Sequence, residues 1–328
     1  MTGPEAELIA AFEAKRPRGL ARAISWAEEG RGAPLMHRFF ERTGRATTIG
    51  LTGPPGVGKS TLCSGLIGVA RARGQSVGVV SVDPSSPFSR GAILGDRIRL
   101  SEHYTDAEVF IRSMASRGHL GGLSGATGDA VALMDAFGLE VIIVETVGVG
   151  QSEIEIAELA DTTLVALQPG SGDSVQLLKA GILEVADIFV VNKADHPMAL
   201  QLQREIRGML EMLDFSGWVP ELVVTRAREN LGVGELWAAI DRHAAYLRAS
   251  GELARKRRSA FAHRVRALVM GRVEARIAAR VGDAIGAADG GDPYAFAQEV
   301  AAPLEAALPA VDEHATDGMA RRATVKGL

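Results

Sequence analysis

The stretch Gly53-Pro54-Pro55-Gly56-Val57-Gly58-Lys59-Ser60 decides the fold, because it directly follows the apolar run Ile49-Gly50-Leu51-Thr52 and opens a helix. GxxxxGK[ST] between a strand and a helix is the phosphate-loop pattern. Its glycines let consecutive backbone N–H groups turn inward around phosphate oxygens, and the helix adds its positive N-terminal end. Lys59 then neutralises β/γ-phosphate charge, and the Ser60 hydroxyl joins the coordination sphere of Mg²⁺. The nucleotide-binding candidates here are Gly53, Gly56, Val57, Gly58, Lys59, Ser60 and Thr61. A glycine-rich turn can match the same pattern by accident, so the rest of the chain has to choose.

Outward from this loop, short apolar strands alternate with helical or glycine-rich segments. The strand candidates are Thr47–Leu51, Ser76–Val82, Glu108–Arg112, Glu140–Val144, Thr162–Leu167, Asp187–Val191 and Glu221–Thr225. Several are near-continuous Val/Ile runs, as expected of parallel strands buried on both faces. The long segments between them suit right-handed crossovers. The pattern predicts an α/β P-loop NTPase domain with a mostly parallel sheet over residues 45–248. Residues 1–44 read as a helical extension, with Leu8, Ile9, Phe12 and then Leu20, Ala23, Ile24 and Ala27 at three- and four-residue spacing. Residues 249–328 read as a helical arm. Within it Phe261, Val265, Val269, Val273, Ile277 and Val281 recur every four residues, opposite a face rich in Arg and Lys. A helix after a complete domain must bury such a stripe somewhere, against a partner or a second subunit.

Composition narrows the class. The chain has 328 residues, 47% hydrophobic and 23% charged, with a formal net charge of −4, which fits a soluble protein with no general pull toward nucleic acid or membrane. The single cysteine, Cys63, excludes an intramolecular disulfide and a cysteine-cluster metal site. No apolar stretch approaches the ~20 residues that span a bilayer. The acidic start of the chain lacks a basic-then-apolar signal, so a cytoplasmic location is expected.

The second chemical signal is Asn192-Lys193-Ala194-Asp195 at the end of the strand Asp187–Val191, the NKxD guanine-reading pattern. The Asp195 carboxylate accepts two hydrogen bonds from guanine N1–H and its exocyclic amine. Adenine offers no such pair, which would leave a poorly paired carboxylate. The Lys193 stem covers one face of the base while Asn192 braces neighbouring loops. Thr225-Arg226-Ala227, ending the next strand, lies where backbone N–H groups would meet the guanine oxygen.

The third is Glu145-Thr146-Val147-Gly148, where many GTPases carry DxxG: an acid facing Mg²⁺ through water and a glycine that senses the γ-phosphate. Here the acid is Glu, and Val149 stands where a water-positioning glutamine is often found. Gln151 is wrongly spaced for that role, and slow unaided hydrolysis is expected. Asp83, in Asp83-Pro84-Ser85-Ser86-Pro87, and Asp96 would add two carboxylates near a hard, oxygen-loving ion. A turn-forming Asp-Pro and a helix cap are the plainer readings of these two. The loop Phe88–Gly95, with Arg90, is a candidate switch. Gln168-Pro169-Gly170-Ser171-Gly172-Asp173 leads to Lys179 from the carboxyl edge of the sheet, the nucleotide side. Asp173 and Lys179 there can supply charge, unless the segment is an ordinary strand-to-helix turn.

Together GPPGVGKST, SVDPSS, ETVGVGQSE, QPGSGD, VNKAD and the two helical flanks resemble the MeaB family, G-protein chaperones of methylmalonyl-CoA mutase that include MMAA proteins and those once labelled ArgK. The resemblance covers nearly the whole chain. It implies a homodimeric GTPase, paired through the C-terminal arm, that binds the mutase, gates adenosylcobalamin loading and protects the mutase from inactivation. Carried across, Lys59, Glu145, Asp173 and Lys179 are catalytic, with Gly148 at the phosphates. Ser60, Asp83, Asp96 and Glu145 surround Mg²⁺, Asp195 reads guanine in GTP or GDP, and Gln168–Lys179 is a third switch that answers the partner. A related acyl-CoA mutase, such as one acting on isobutyryl-CoA, is the alternative partner. The chain itself lacks the DxHxxG pattern of cobalamin binding: Asp241-Arg242-His243 meets Tyr246 where glycine is needed. A nickel-enzyme maturation GTPase would want clustered Cys and His, and the chain has one Cys and seven scattered His. Partitioning ATPases place a lysine where this chain has Pro54, and NKAD opposes ATP. An ArgK-like kinase of a transport protein would need an acceptor site that no motif supplies.

Overall fold

β1 (Thr47–Thr52) lies in the middle of a seven-stranded sheet, because it pairs on one side with β4 (Val141–Glu145) and on the other with β5 (Thr162–Leu167). Outward from β4 come β2 (Val77–Asp83) and the edge strand β3 (Val109–Ala115). Outward from β5 come β6 (Ile188–Val191) and β7 (Glu221–Val224). Every pairing is parallel. All seven strands read from the sequence are present, displaced by at most a few residues at their ends. This computed structural model describes residues 3–83, 100–115, 125–146, 152–171, 185–286 and 292–306.

Helices cover both faces of the sheet. On one, Ile49, Leu51, Val79, Ile143 and Val190 pack against α4 (Lys59–Ala72), through Leu62, Leu66 and Ile67, and against α8 (Val233–Ala249), through Leu236, Trp237 and Ile240. On the other, Val80, Val82, Ile142 and Val144 meet α5 (Gly125–Phe137) and the N-terminal helices α1 (Pro4–Glu13), α2 (Pro17–Glu28) and α3 (Ala33–Phe39). Val165, Leu167, Phe189 and Val191 form a third cluster with α7 (Ala199–Glu211), and Ile156 of α6 (Ser152–Leu159) packs near Gly50. Alternate residues of one strand thus feed opposite cores, which explains the unbroken Val/Ile runs. The N-terminal helices are a lid on the sheet, with Phe12 stacked on Phe39 at 4.5 Å. Asp135 of α5 fixes their exit by accepting from the Gly44, Arg45 and Ala46 N–H groups. Cys63 is fully buried, and that burial pushes its thiol pKa up.

The chain divides into two compact units, Met1–Val265 and Arg266–Leu328. The division falls within α9 (Glu252–Gly286), and α10 (Pro293–Ala306) follows. The root of α9 is fastened by ion pairs: Lys256 to Asp187 at 3.1 Å, Arg257 to Asp161 at 2.9 Å, and Arg264 to Asp129. Farther along, Val269, Val273 and Ile277 of the four-residue stripe are exposed in the single chain. Among the described residues no helix is long and apolar enough to cross a membrane.

Candidate functional site

The carboxyl ends of β1, β4, β5, β6 and β7 meet at one edge of the sheet, and the phosphate-loop sequence leaves β1 there. Gly53 has φ 139, and a Cβ on it would overlap the backbone oxygen of Ala166 in β5. Gly58 has φ 94, and a Cβ there would lie 2.6 Å from the Asn192 amide nitrogen. Both positions therefore exclude a side chain by backbone conformation and by space. Val57 is buried in the core and anchors the loop from beneath. α4 begins at Lys59 with no side chain capping its N-terminus, the usual seat of an anion. Thr61, in the same first turn, is exposed.

Lys59 is only 7% exposed, and its Nζ donates to the Gly53 and Pro54 carbonyls at 2.7 and 3.0 Å. The ammonium is thus held inside the loop by two neutral acceptors. Ser60 Oγ donates to Glu145 Oε1 at 2.7 Å, and the two side chains are 8% and 6% exposed. The register that sets Leu51 beside Glu145 brings this carboxylate to the start of α4. Next to it, Thr146 Oγ1 donates to Thr52 Oγ1 at 2.9 Å, tying the ends of β4 and β1 together.

Asn192 is the hub of the base side. Its amide donates to Val57 O at 2.8 Å, and its Oδ1 accepts from Thr225 Oγ1 at 3.0 Å and from Ala227 N–H at 3.1 Å. Lys193 follows with φ 57, uncommon for a residue with a side chain, and its Nζ donates to Gly56 O at 2.7 Å and Gln168 Oε1 at 2.6 Å. Asp195 is exposed two residues on. The sequence turns the N–H groups of Thr225, Arg226 and Ala227 toward a guanine oxygen; the structure differs. They donate instead to Val191 O, Leu231 O and Asn192 Oδ1 at 2.8, 2.9 and 3.1 Å, because the strand end and the Asn192 hub claim them. The Arg226 guanidinium pairs with Glu229 at 3.1 Å.

The structure thus brings Gly53–Ser60, Glu145 and Asn192–Asp195 to one edge. Asp96, Gly148, Gln151, Asp173, Lys179 and the Phe88–Gly95 loop lie outside the described residues, as does the Asp83 side chain. Gln168 was legible only as the first residue of a glycine-rich loop; its contact with Lys193 joins two strand ends that are distant in sequence.

A central strand running into a phosphate loop, an acid from the neighbouring strand on the loop's serine, and Asn-Lys-x-Asp two strands away define a P-loop GTPase fold. The chain matches the family model of the methylmalonyl-CoA mutase-associated GTPase MeaB over residues 20–281 and belongs to that family. A Pyrococcus horikoshii protein that carries a provisional GTPase name is 46% identical over 280 residues, covering 84% of this chain and 88% of that one. Escherichia coli GTPase ArgK is 38% identical over 224 residues, 67% of this chain and 68% of its own. The mouse mitochondrial methylmalonic aciduria type A homolog is 38% identical over 216 residues, 64% of this chain and 52% of its own. Among solved structures, a LAO/AO transport system kinase superposes with a TM-score of 0.67 at 26% identity, covering 93% of this chain and 99% of that one.

Proposed function

We propose that this GTPase binds GTP and GDP with Mg²⁺, docks on a cobalamin-dependent acyl-CoA mutase, foremost methylmalonyl-CoA mutase, gates its adenosylcobalamin loading and protects the mutase from inactivation. The family match over residues 20–281 is the observation that carries this reading. The site chemistry supports its nucleotide half. A Cβ at Gly56 would meet nothing within 4 Å, so bare backbone there faces open space that phosphate oxygens can enter, while Gly53 and Gly58 let the loop pack closely on Ala166 and Asn192. Lys59 exchanges two neutral carbonyls for anionic oxygens, a stronger pairing for an ammonium. Asp195 discriminates guanine from adenine through paired acceptor oxygens.

The donor set also fits magnesium. Ser60 Oγ and the Glu145 carboxylate are hard oxygen ligands 2.7 Å apart, and opening their hydrogen bond frees both toward one ion. Asp83 and Asp96 would complete the acidic surround. The ion would supply charge neutralisation at the phosphates. Lys59 would hold the phosphates in place, and Gly148 would report the terminal one through its N–H. Asp173 and Lys179 would supply their charge to the site only when the partner is docked. With no glutamine after Gly148, turnover in the isolated protein is slow. The unburied stripe on α9 would pair two chains into a homodimer.

Purified protein, GTP labelled on its γ-phosphate and candidate mutases provide the test. Phosphate released to water, slowly alone and faster with mutase, is the expected outcome. Label transferred to a protein acceptor would favour a kinase like the solved transport-system relative. Equal hydrolysis of ATP and GTP would remove the guanine assignment. Lys59→Ala should abolish most turnover in every case.

A further inference from the structure

We infer that Gln168 is a positioning residue that holds Lys193 in its base-covering pose and so ties guanine-nucleotide dwell time to the Pro169-Gly170 turn that follows it. The inference rests on the guanine-site reading above. Lys193 Nζ has three donors, and two are committed, to Gly56 O at 2.7 Å and Gln168 Oε1 at 2.6 Å. The first acceptor is phosphate-loop backbone. The second belongs to a different element and is the only side-chain acceptor of the pair. An exposed lysine samples many rotamers, and ordering its stem on binding costs affinity. Fixing its far end at two points in advance removes much of that cost.

The placement of Gln168 makes it a link rather than a passive prop. It is the residue after Leu167, the last of β5, whose carbonyl accepts from Asn192 N–H at 2.9 Å. Its backbone therefore starts from the same strand end that carries the base-reading loop. Pro169 and Gly170, at φ 74, then turn the chain away, with His196 close to Gly170. A shift of that turn displaces the Gln168 amide, and the Lys193 ammonium loses one of its two anchors. The main chain of Lys193 does not move with it, because Ala194 N–H is bonded to Thr225 O at 3.1 Å. The coupling thus acts on the Lys193 side chain, which covers the base, and leaves Asp195 and the phosphate loop in place.

The experiment is stopped-flow release of a fluorescent GDP from full-length protein, with GDP and ADP affinities of the unaltered protein measured first. Gln168→Leu keeps the bulk and removes the acceptor, and GDP release should accelerate about 3- to 10-fold, the range for one hydrogen bond of ordinary net strength, as suits an exposed lysine. Gln168→Glu keeps an acceptor for the ammonium and should restore release to within about twofold of native. In a Lys193→Met background, Gln168→Leu should add nothing, since the ammonium it serves is gone. A simple packing role would not be rescued by Glu and would persist without Lys193. Native GDP preference with release unchanged in Gln168→Leu, or with the two substitutions multiplying independently, overturns this inference alone. Absence of any preference for GDP over ADP overturns the guanine-site reading on which it stands.

Discussion

At the scale of single residues, the site divides into positions that pattern announces and positions that only contact reveals. Asp195 belongs to the first kind. Asp195→Asn replaces an acceptor pair with one acceptor and one donor, so GDP affinity should fall about 100-fold, while xanthosine diphosphate, with an oxygen in place of the amine, should gain. Competition binding with both nucleotides reads the exchange directly. Gly53 and Gly56 give a matched pair. Both have positive φ, but a Cβ at Gly53 overlaps the Ala166 oxygen whereas one at Gly56 meets nothing within 4 Å. Gly56→Ala should therefore cost about 1 kcal/mol of unfolding free energy. Gly53→Ala adds strain and backbone collision and should cost about 3 kcal/mol or more in the same urea titration. The phosphate loop, Glu145 and Asn192–Asp195 were legible because their chemistry is local in sequence. Gln168 was not, because its meaning lies 25 residues away, in the Lys193 ammonium.

At the scale of elements, hydrophobic runs located the strands because a parallel sheet buried on both faces leaves each strand nearly free of polar residues. The same pattern could show that the N-terminal helices bury a stripe but not that the stripe lies on the sheet. The polar cluster under the opposite sheet edge was invisible for a similar reason. His243 of α8, 1% exposed, is sandwiched between Thr162, whose Oγ1 lies 2.9 Å from Nδ1, and Asp187, 3.3 Å from Nε2. A neutral ring satisfies both neighbours, accepting from the Thr162 hydroxyl and donating to Asp187. Burial lowers the His243 pKa below its ordinary 6.5, and Lys256 lowers it further, against the opposing pull of Asp187, Asp161 and Glu252. The unfolded chain therefore takes up a proton first as pH falls, so the contribution of His243 to stability is full above pH 6.5 and is lost as pH drops through its folded pKa. One such proton produces a slope of at most about 1.4 kcal/mol per pH unit. His243→Gln keeps one acceptor and one donor without the titration. Its unfolding free energy should change less than the native value between pH 7.5 and 5.5, and parallel pH profiles would refute this account of the cluster.

At the scale of the whole molecule, the open question is what the arm's apolar stripe does. Phe261, Val265, Val269, Val273 and Ile277 recur at four-residue spacing on α9, and each is exposed, Phe261 at 55% and Val269 at 54%. Burying half an aliphatic side chain contributes about 1 kcal/mol, so five on each of two chains contribute on the order of 10 kcal/mol before ordering costs. Micromolar association needs about 8 kcal/mol net, so after an association cost of at least about 4 kcal/mol the stripe supplies most of it and neighbouring contacts of the arm must supply the rest. An arm pairing through this stripe should make the protein a dimer at micromolar concentration in analytical ultracentrifugation. Val269→Asp combined with Val273→Asp places two carboxylates in the apolar seam, and their desolvation exceeds what the remaining contacts return. The variant should sediment as a monomer while GDP affinity stays within twofold, because the guanine and phosphate loops belong to the other compact unit. A native monomer at those concentrations, or a double variant that still dimerises, would assign the stripe to a different partner. In that case, binding of the immobilised mutase by the native arm and its loss in the double variant would show that the stripe docks the mutase instead.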